Sequence, residues 1–235
     1  MRKNILITGI PKSGKSTLLK KVISNIQNKV GFVTNEILGE NGRVGFEMET
    51  HLGNKETLAH INFKTPHKVS RYFVDIKNLE SLIPEVFVFN ENDFLYLDEV
   101  GQMELFSEEF KGMVTKFLDS RNTCLITLSA VYSNDFIESI KKRHDIILVE
   151  ITPENREEKA VFITQLIGKI EKAKKYLTEP ERFTQKGNSV VIQGDHEFRT
   201  VTLGEDGLTC NCNFFNKNNN HICSHTIAVS EFIEK

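Results

Sequence analysis

Apolar positions over the first 170 residues follow two rhythms. Compact runs in NILITG (4–9), VGFVTNE (30–36), FLYLDE (94–99), TCLITLS (123–129) and DIILVEI (145–151) read as strands, and TLAHINF (57–63) as another. KSTLLKKVISNI (15–26) and ELFSEEFKGMVTKFLDS (104–120) carry the wider helical spacing. The turn-like GENG between VTNEI and RVGFEMET makes residues 31–50 a β-hairpin. Thr152 followed by Pro153 marks a helix start, and Ala160, Ile163, Ile167 and Ile170 give that helix one apolar face. Strands alternating with helices imply an α/β fold whose mostly parallel sheet is covered on both faces.

The pattern changes after the charge run KIEKAKK (169–175), which sets a domain boundary, 1–172 and 173–235. VVIQG and FRTVTLG read as two strands, and HTIAVSEFIE as a short closing helix, a small ββα module. Some sixty residues is marginal for an independent core, so a structural metal is expected to staple it.

Composition narrows the field. With 39% hydrophobic and 26% charged residues the chain is globular, and no apolar run reaches the roughly 18–20 residues that span a bilayer. The start, MRKNILITGI, has no cleavage-like small-residue site, so a secretory signal is not expected and the expected compartment is the cytoplasm. Net charge is −2, and residues 173–235 hold 7 Lys/Arg against 8 Asp/Glu. Nucleic-acid binding usually leaves a positive footprint, which the bulk charge lacks.

GIPKSGKS (9–16) fits G-x-x-x-x-G-K-[ST], with a strand before it and a helix after. Such a loop curls its N–H groups toward phosphates at a helix N-terminus. Gly9, Ile10, Pro11, Lys12, Ser13, Gly14, Lys15, Ser16 and Thr17 form the candidate nucleotide-binding stretch. Lys15 would reach the β- and γ-phosphates, Ser16 would ligate Mg²⁺, and Thr17 could touch the α-phosphate side. Asp98, at the end of a buried strand, is the second Mg²⁺ candidate, and Glu99 could orient and deprotonate a water.

GIPKSGKSTL, GFVTNEI…GRVGFEM, RYFVDIKNLE, LYLDEVGQMELFS and ITPENRE, in this order through residues 1–170, resemble the THEP-type nucleoside-triphosphatase family. The resemblance implies a RecA-like three-layer P-loop NTPase domain and slow hydrolysis of several nucleoside triphosphates. It implies phosphate and Mg²⁺ roles for Gly14, Lys15, Ser16 and Thr17, with Asp98 as the Mg²⁺ acid and Glu99 as the catalytic one. Lys12 departs from it, since many members have Gly there. Phosphoryl transfer also wants positive charge near the γ-phosphate. Arg156, in the ENRE stretch, and Arg71, beside YFVD, are the candidate arginines.

At the other end, Cys210-x-Cys212 and Cys223-x-His225 offer three thiolates and an imidazole, a closed tetrahedral zinc set that leaves no place for substrate. His221 is a nearby competitor read as a loop histidine, and NFFNKNNNHI as a flexible excursion between the ligand pairs. This C-x-C…C-x-H pattern resembles a SWIM zinc finger, which implies protein or DNA contacts; the charge count favours protein. Mg²⁺, Zn²⁺ and a nucleoside triphosphate are therefore the expected ligands. Two rival readings share the phosphate loop, a small-molecule or nucleic-acid kinase and a nucleotide-dependent switch with residual hydrolysis. No arginine-dense lid segment supports the first.

Overall fold

The computed structural model describes residues 1–218 and 221–233. The chain divides into two compact units, Lys3–Val161 and Met1–Arg2 with Phe162–Lys235. The first unit contains β1 (Asn4–Thr8), α1 (Lys15–Ile23), β2 (Lys29–Gly39), β3 (Gly42–Thr50), β4 (Lys55–His60), β5 (His67–Val69), β6 (Tyr72–Val74) and α2 (Ile76–Val86). It continues with β7 (Phe94–Val100), α3 (Glu108–Asp119), β8 (Cys124–Leu128), α4 (Asp135–Lys141) and β9 (Ile146–Glu150).

Among the described residues nine strands form one sheet, in the order β5-β6-β4-β3-β2-β7-β8-β1-β9. From β2 to β9 the neighbours run parallel, and from β2 outward through β3, β4, β6 and β5 they run antiparallel. The expected hairpin is therefore the hinge between a parallel body and an antiparallel arm. Strand β8 stands between β1, which leads into the phosphate loop, and β7, which carries Asp98 and Glu99.

Consecutive residues of a strand face opposite ways, so a strand buried at every position is covered twice. Cys124–Leu128 is buried throughout, as is Phe94–Asp98. Leu6, Phe32, Leu95, Leu97, Ile126 and Leu128 share one core with Leu79, Ile83, Phe110 and Phe117 from α2 and α3. Helix α1, with Leu18, Leu19 and Val22 buried, packs on β2, β7 and β8. The layers follow from the alternation.

Helix α2, α4 and the short hairpin β5–β6 went beyond the runs read from the sequence. Helix α2 is nucleated by Asp75, whose side chain accepts from the N–H groups of Lys77 and Asn78, and it carries Pro84 internally, a residue that usually breaks a helical reading.

Helix α5 (Arg156–Leu177) is continuous through 172/173, where the sequence change was read as a boundary. Its start is a reciprocal cap. Thr152 N–H donates to Asn155 Oδ1 at 2.9 Å, and Asn155 N–H donates to Thr152 Oγ1 at 3.3 Å, with Pro153 in the turn between. Its buried face uses Ala160, Ile163, Leu166, Ile170, Ala173 and Tyr176, while the expected Ile167 is only half-buried.

The second unit adds β10 (Phe183–Lys186), β11 (Ser189–Gln193), β12 (Phe198–Gly204) and β13 (Gly207–Cys210), then α6 (Asn213–Lys217) and α7 (Ser224–Ile233). Among the described residues it is a four-stranded antiparallel meander rather than a two-stranded unit. FTQK and GLTC are too short and polar to read as strands, yet Gly187 and Gly207, both at positive φ, close tight hairpins that pair them. The segment expected as a flexible excursion begins instead with α6, where Phe215 is buried; Asn219 and Asn220 lie outside the described residues. No helix of the described residues is long and apolar enough to cross a membrane.

Candidate functional site

The turn from β1 into α1 is shaped by its glycines. A side chain at Gly9 would stand 2.5 Å from the Ile151 carbonyl oxygen, and Gly14 has φ 93°, so neither position accepts one. Lys12 adopts φ 68° in the same loop, a left-handed conformation rare for lysine. Lys15 is buried and its Nζ donates to the Gly9 carbonyl at 3.1 Å, closing the loop on itself. Helix α1 has no side-chain cap on its first N–H groups and no acidic residue in its first turn. Those donors stay free for an anion. Ile10, Pro11, Lys12 and Thr17 are exposed, while Ser13 is fully buried.

Opposite lies the end of β7. Asp98 is fully buried, and its Oδ1 accepts from Ser16 Oγ at 2.9 Å and from Thr127 Oγ1 at 2.7 Å. Burial raises the Asp98 pKa, against hydrogen bonds from Thr127 and Ser16 and the charges of Lys20 and Lys15. Thr127, from the intervening β8, went unremarked because a single threonine in a buried strand carries no distinctive signal. Glu99 is half-buried, with its pKa raised by burial, opposed by Lys15 and reinforced by Asp98. The register of β7 against β8 shifts between Leu97 and Val100, so both acids lie in an irregular stretch.

The two candidate arginines part company. Arg156 lies on the phosphate loop: a Cβ at Gly14 would be 2.5 Å from its Cδ and 2.6 Å from its Nη1. Arg71 sits at the β5–β6 turn in the antiparallel arm, over the Tyr72 ring and donating to the Arg43 carbonyl. Five strands separate β6 from β1 in the sheet order. The structure brings Arg156 to the loop and leaves Arg71 in the arm.

Buried polar atoms normally find partners. Ser13 Oγ and Asp98 Oδ2 are buried without a hydrogen-bond partner, and Arg156 Nε, also without one, has only Glu157 Oε1 at 3.6 Å. All three surround the loop, where a phosphate chain would satisfy Ser13 and Arg156. A divalent cation would satisfy Asp98, with Ser16 Oγ already beside the same carboxylate, so these residues fit Mg²⁺.

In the second unit, Cys210, Cys212, Cys223 and His225 offer ligand atoms within 4.8 Å of one another. Cys210 Sγ and Cys223 Sγ lie 3.7 and 3.8 Å from His225 Nδ1. Tetrahedral zinc, from its usual bond lengths, asks for ligand separations of about 3.5–3.8 Å. Cys210 ends β13, Cys212 caps the start of α6, Cys223 directly precedes α7 and His225 lies in its first turn. The Phe215 and Thr226 N–H groups donate to Cys212 Sγ and Cys223 Sγ, the contacts that support thiolates around a metal. His221 is exposed and outside this set. The donor set and its spacing fit zinc.

Comparison with known proteins agrees with the first unit. The family model described as NTPase matches residues 4–164. The nucleoside-triphosphatase THEP1 of Thermotoga maritima is 38% identical over 154 residues, 65% of this chain and 88% of that protein. That of Methanothermobacter thermautotrophicus is 33% identical over 171 residues, covering 70% and 95%. The crystal structure of THEP1 from Aquifex aeolicus superposes with a TM-score of 0.63 at 30% identity, over 70% of this chain and 98% of that one. The solution structure of a human cancer-related nucleoside triphosphatase gives 0.61 at 27%, over 70% and 97%. The Cys/His cluster lies beyond the residues that the family model matches. With a phosphate loop, an acid pair one strand away and this span of likeness, the chain belongs to the THEP1-type nucleoside-triphosphatase family.

Proposed function

We propose that the chain hydrolyses nucleoside triphosphates to the diphosphate and phosphate, with Mg²⁺ held by Ser16 and Asp98. The observation that carries this reading is the gathering of three buried polar atoms without hydrogen bonds, from Ser13, Asp98 and Arg156, around one phosphate loop. Residues 9–17 wrap the phosphates, with the free N–H groups of α1 and the Lys15 ammonium turned toward them. Bound there, Mg²⁺ would supply neutralisation of the phosphate charge.

Glu99 orients a water in line with the γ-phosphorus and takes its proton as the new P–O bond forms and the bond to the β-phosphate oxygen breaks. Its raised pKa makes it a better base than a surface carboxylate, and Lys15 favours the ionised form that the task needs. Arg156, lying on Gly14, adds positive charge where the transition state spreads negative charge. Arg71 has no part in this step.

The cluster Cys210, Cys212, Cys223 and His225 holds zinc as a structural ion, since its four ligands close the coordination shell. Among the described residues no disulfide joins the four cysteines, which suits the reducing cytoplasm. The balanced charge of residues 173–235 favours a protein partner for this module over nucleic acid.

Glu99→Gln tests the mechanism. Nucleotide affinity is expected to stay within about twofold while phosphate release falls on the order of a hundredfold or more. Undiminished release in a variant that binds nucleotide would remove Glu99 from the reaction.

A further inference from the structure

Between Glu99 and α3 the chain makes a short 3-10 turn, Glu104–Phe106, in the stretch VGQMELFS. Its first residue is unusual. Glu104 is only 5% exposed, and no cation pairs with its side chain among the described residues. A carboxyl buried in this way needs a reason.

Its contacts supply one. Glu104 Oε2 accepts the Gly101 N–H at 3.1 Å. The Leu105 N–H donates back to the Gly101 carbonyl at 3.2 Å, so Gly101 is held through both its donor and its acceptor. One step earlier, the Val100 carbonyl accepts from the Ser129 N–H beyond β8. The backbone leaving Glu99 is thus fixed at its next two residues. Gly101 also separates two acids: a Cβ there would lie 3.2 Å from Glu104 Oε2 and 3.5 Å from Glu99 Oε1. The Glu104 and Glu99 side chains flank the same point.

We propose that Glu104 is a positioning residue for Glu99: by accepting the Gly101 N–H with its buried carboxyl, it fixes the backbone and the wall against which the Glu99 side chain rests. This rests on the reading of Glu99 as the group that orients water. The surroundings act on the two acids to different degrees. Burial pushes Glu104 up to about 8, with the nearby Glu99 and Asp98 charges adding to it, while Lys15 opposes burial at Glu99. Other titratable groups around the turn are Glu80, which accepts from Ser107 Oγ, and His67, whose ring lies 4.7 Å from that of Phe106.

The test uses the full chain and two substitutions, read as kcat and nucleotide KM across pH 6–9. Glu104→Gln keeps a neutral acceptor for Gly101 and is expected to retain kcat at pH 7 within about twofold. Wild type is expected to lose kcat above about pH 8, where a second negative charge arises beside Glu99, and Glu104→Gln to lack that fall. Glu104→Leu removes the acceptor and is expected to lower kcat about tenfold with KM within about twofold, the effect of one lost hydrogen bond felt only in the reacting geometry.

In a Glu99→Gln background, Glu104→Leu should cost nothing further. Wild-type kcat in Glu104→Leu overturns the proposal, as does a loss that persists in the Glu99→Gln background. Glu104→Gln as damaged as Glu104→Leu overturns it too, because the carboxyl itself would then be required. If Glu104→Leu does not fold, an alkaline fall that survives in Glu104→Gln overturns it. A Glu99→Gln single variant with full activity would instead sink the reading of Glu99 on which the proposal stands.

Discussion

Asp145→Asn probes what anchors the phosphate-loop strand at its far end. Asp145 precedes β9, and its side chain is 8% exposed. It accepts from Asn4 Nδ2 at 2.9 Å and from Arg143 Nε and Nη2 at 2.9 and 2.8 Å, with Lys3 Nζ 3.8 Å away. Its backbone carbonyl also accepts from the N–H groups of Lys3 and Asn4. The first residues of β1 are thus held by one carboxylate. Breaking a buried pair by removing one partner costs about 3–5 kcal/mol. Arg143 is part-exposed and keeps Asp119, and asparagine retains one acceptor, so the cost falls to the bottom of that range or just below it, about 2–3 kcal/mol. For a domain of this size that lowers Tm by roughly 5–10 °C.

The pH dependence follows from the same contacts. Burial would raise the Asp145 pKa, but the hydrogen bonds and charge of Arg143, with Lys3, outweigh it and hold the carboxyl below its usual range. A depressed folded-state pKa gives stability that is present above the unfolded value near ~3.9 and lost as pH falls. Urea unfolding followed by circular dichroism at pH 7 and near pH 3.5 should show a wide gap between wild type and variant at pH 7 that narrows in acid. Phosphate release at 20 °C should be unchanged, because the substitution lies at the opposite end of β1 from the loop. A loss under about 0.5 kcal/mol at pH 7, or a gap that widens in acid, would refute the reasoning.

Two further outcomes are expected. Lys12→Gly relieves a left-handed residue, worth about 1–2 kcal/mol, against roughly 0.4–1 kcal/mol of added chain entropy. Tm should rise by a few degrees or hold, with nucleotide KM unchanged; a tenfold rise in KM would mean that the exposed Lys12 side chain touches the phosphates. Purified protein should contain about one zinc per chain. Cys212→Ser should lose that zinc and unfold residues 178–233 in hydrogen exchange while phosphate release continues, whereas retention of full zinc would exclude Cys212 as a ligand.

The parallel body was legible because its strands are short, apolar throughout and separated by helical spacing. The candidate phosphate residues were legible because glycine and lysine positions in such a loop are dictated by close backbone approach. What escaped was built from ordinary residues whose roles depend on tertiary neighbours. Thr127 is one hydroxyl in a buried strand, and Glu104 resembles any helix-start acid until its burial is known. The β5–β6 hairpin, three residues to a strand, offers too little alternation to detect. FTQK and GLTC are legible only as the outer partners of stronger strands. Arg71 and Arg156 stood equal in the sequence, and only the fold separated them, with Arg156 against Gly14 and Arg71 at the β5–β6 turn.

The placing of β8 between β1 and β7 also sets an order of events during synthesis. Asn4 pairs with Cys124 and Ile146, so β1 finds its neighbours only after more than a hundred further residues have been made. Until β8 arrives, β7 pairs with β2 but lacks its other neighbour, and Asp98 lacks the Thr127 hydroxyl. A nascent chain at that stage exposes the apolar run of β1 without a nucleotide site to stabilise it. Nucleotide can therefore act on this fold only as a late ligand, trapping the finished sheet rather than guiding its assembly.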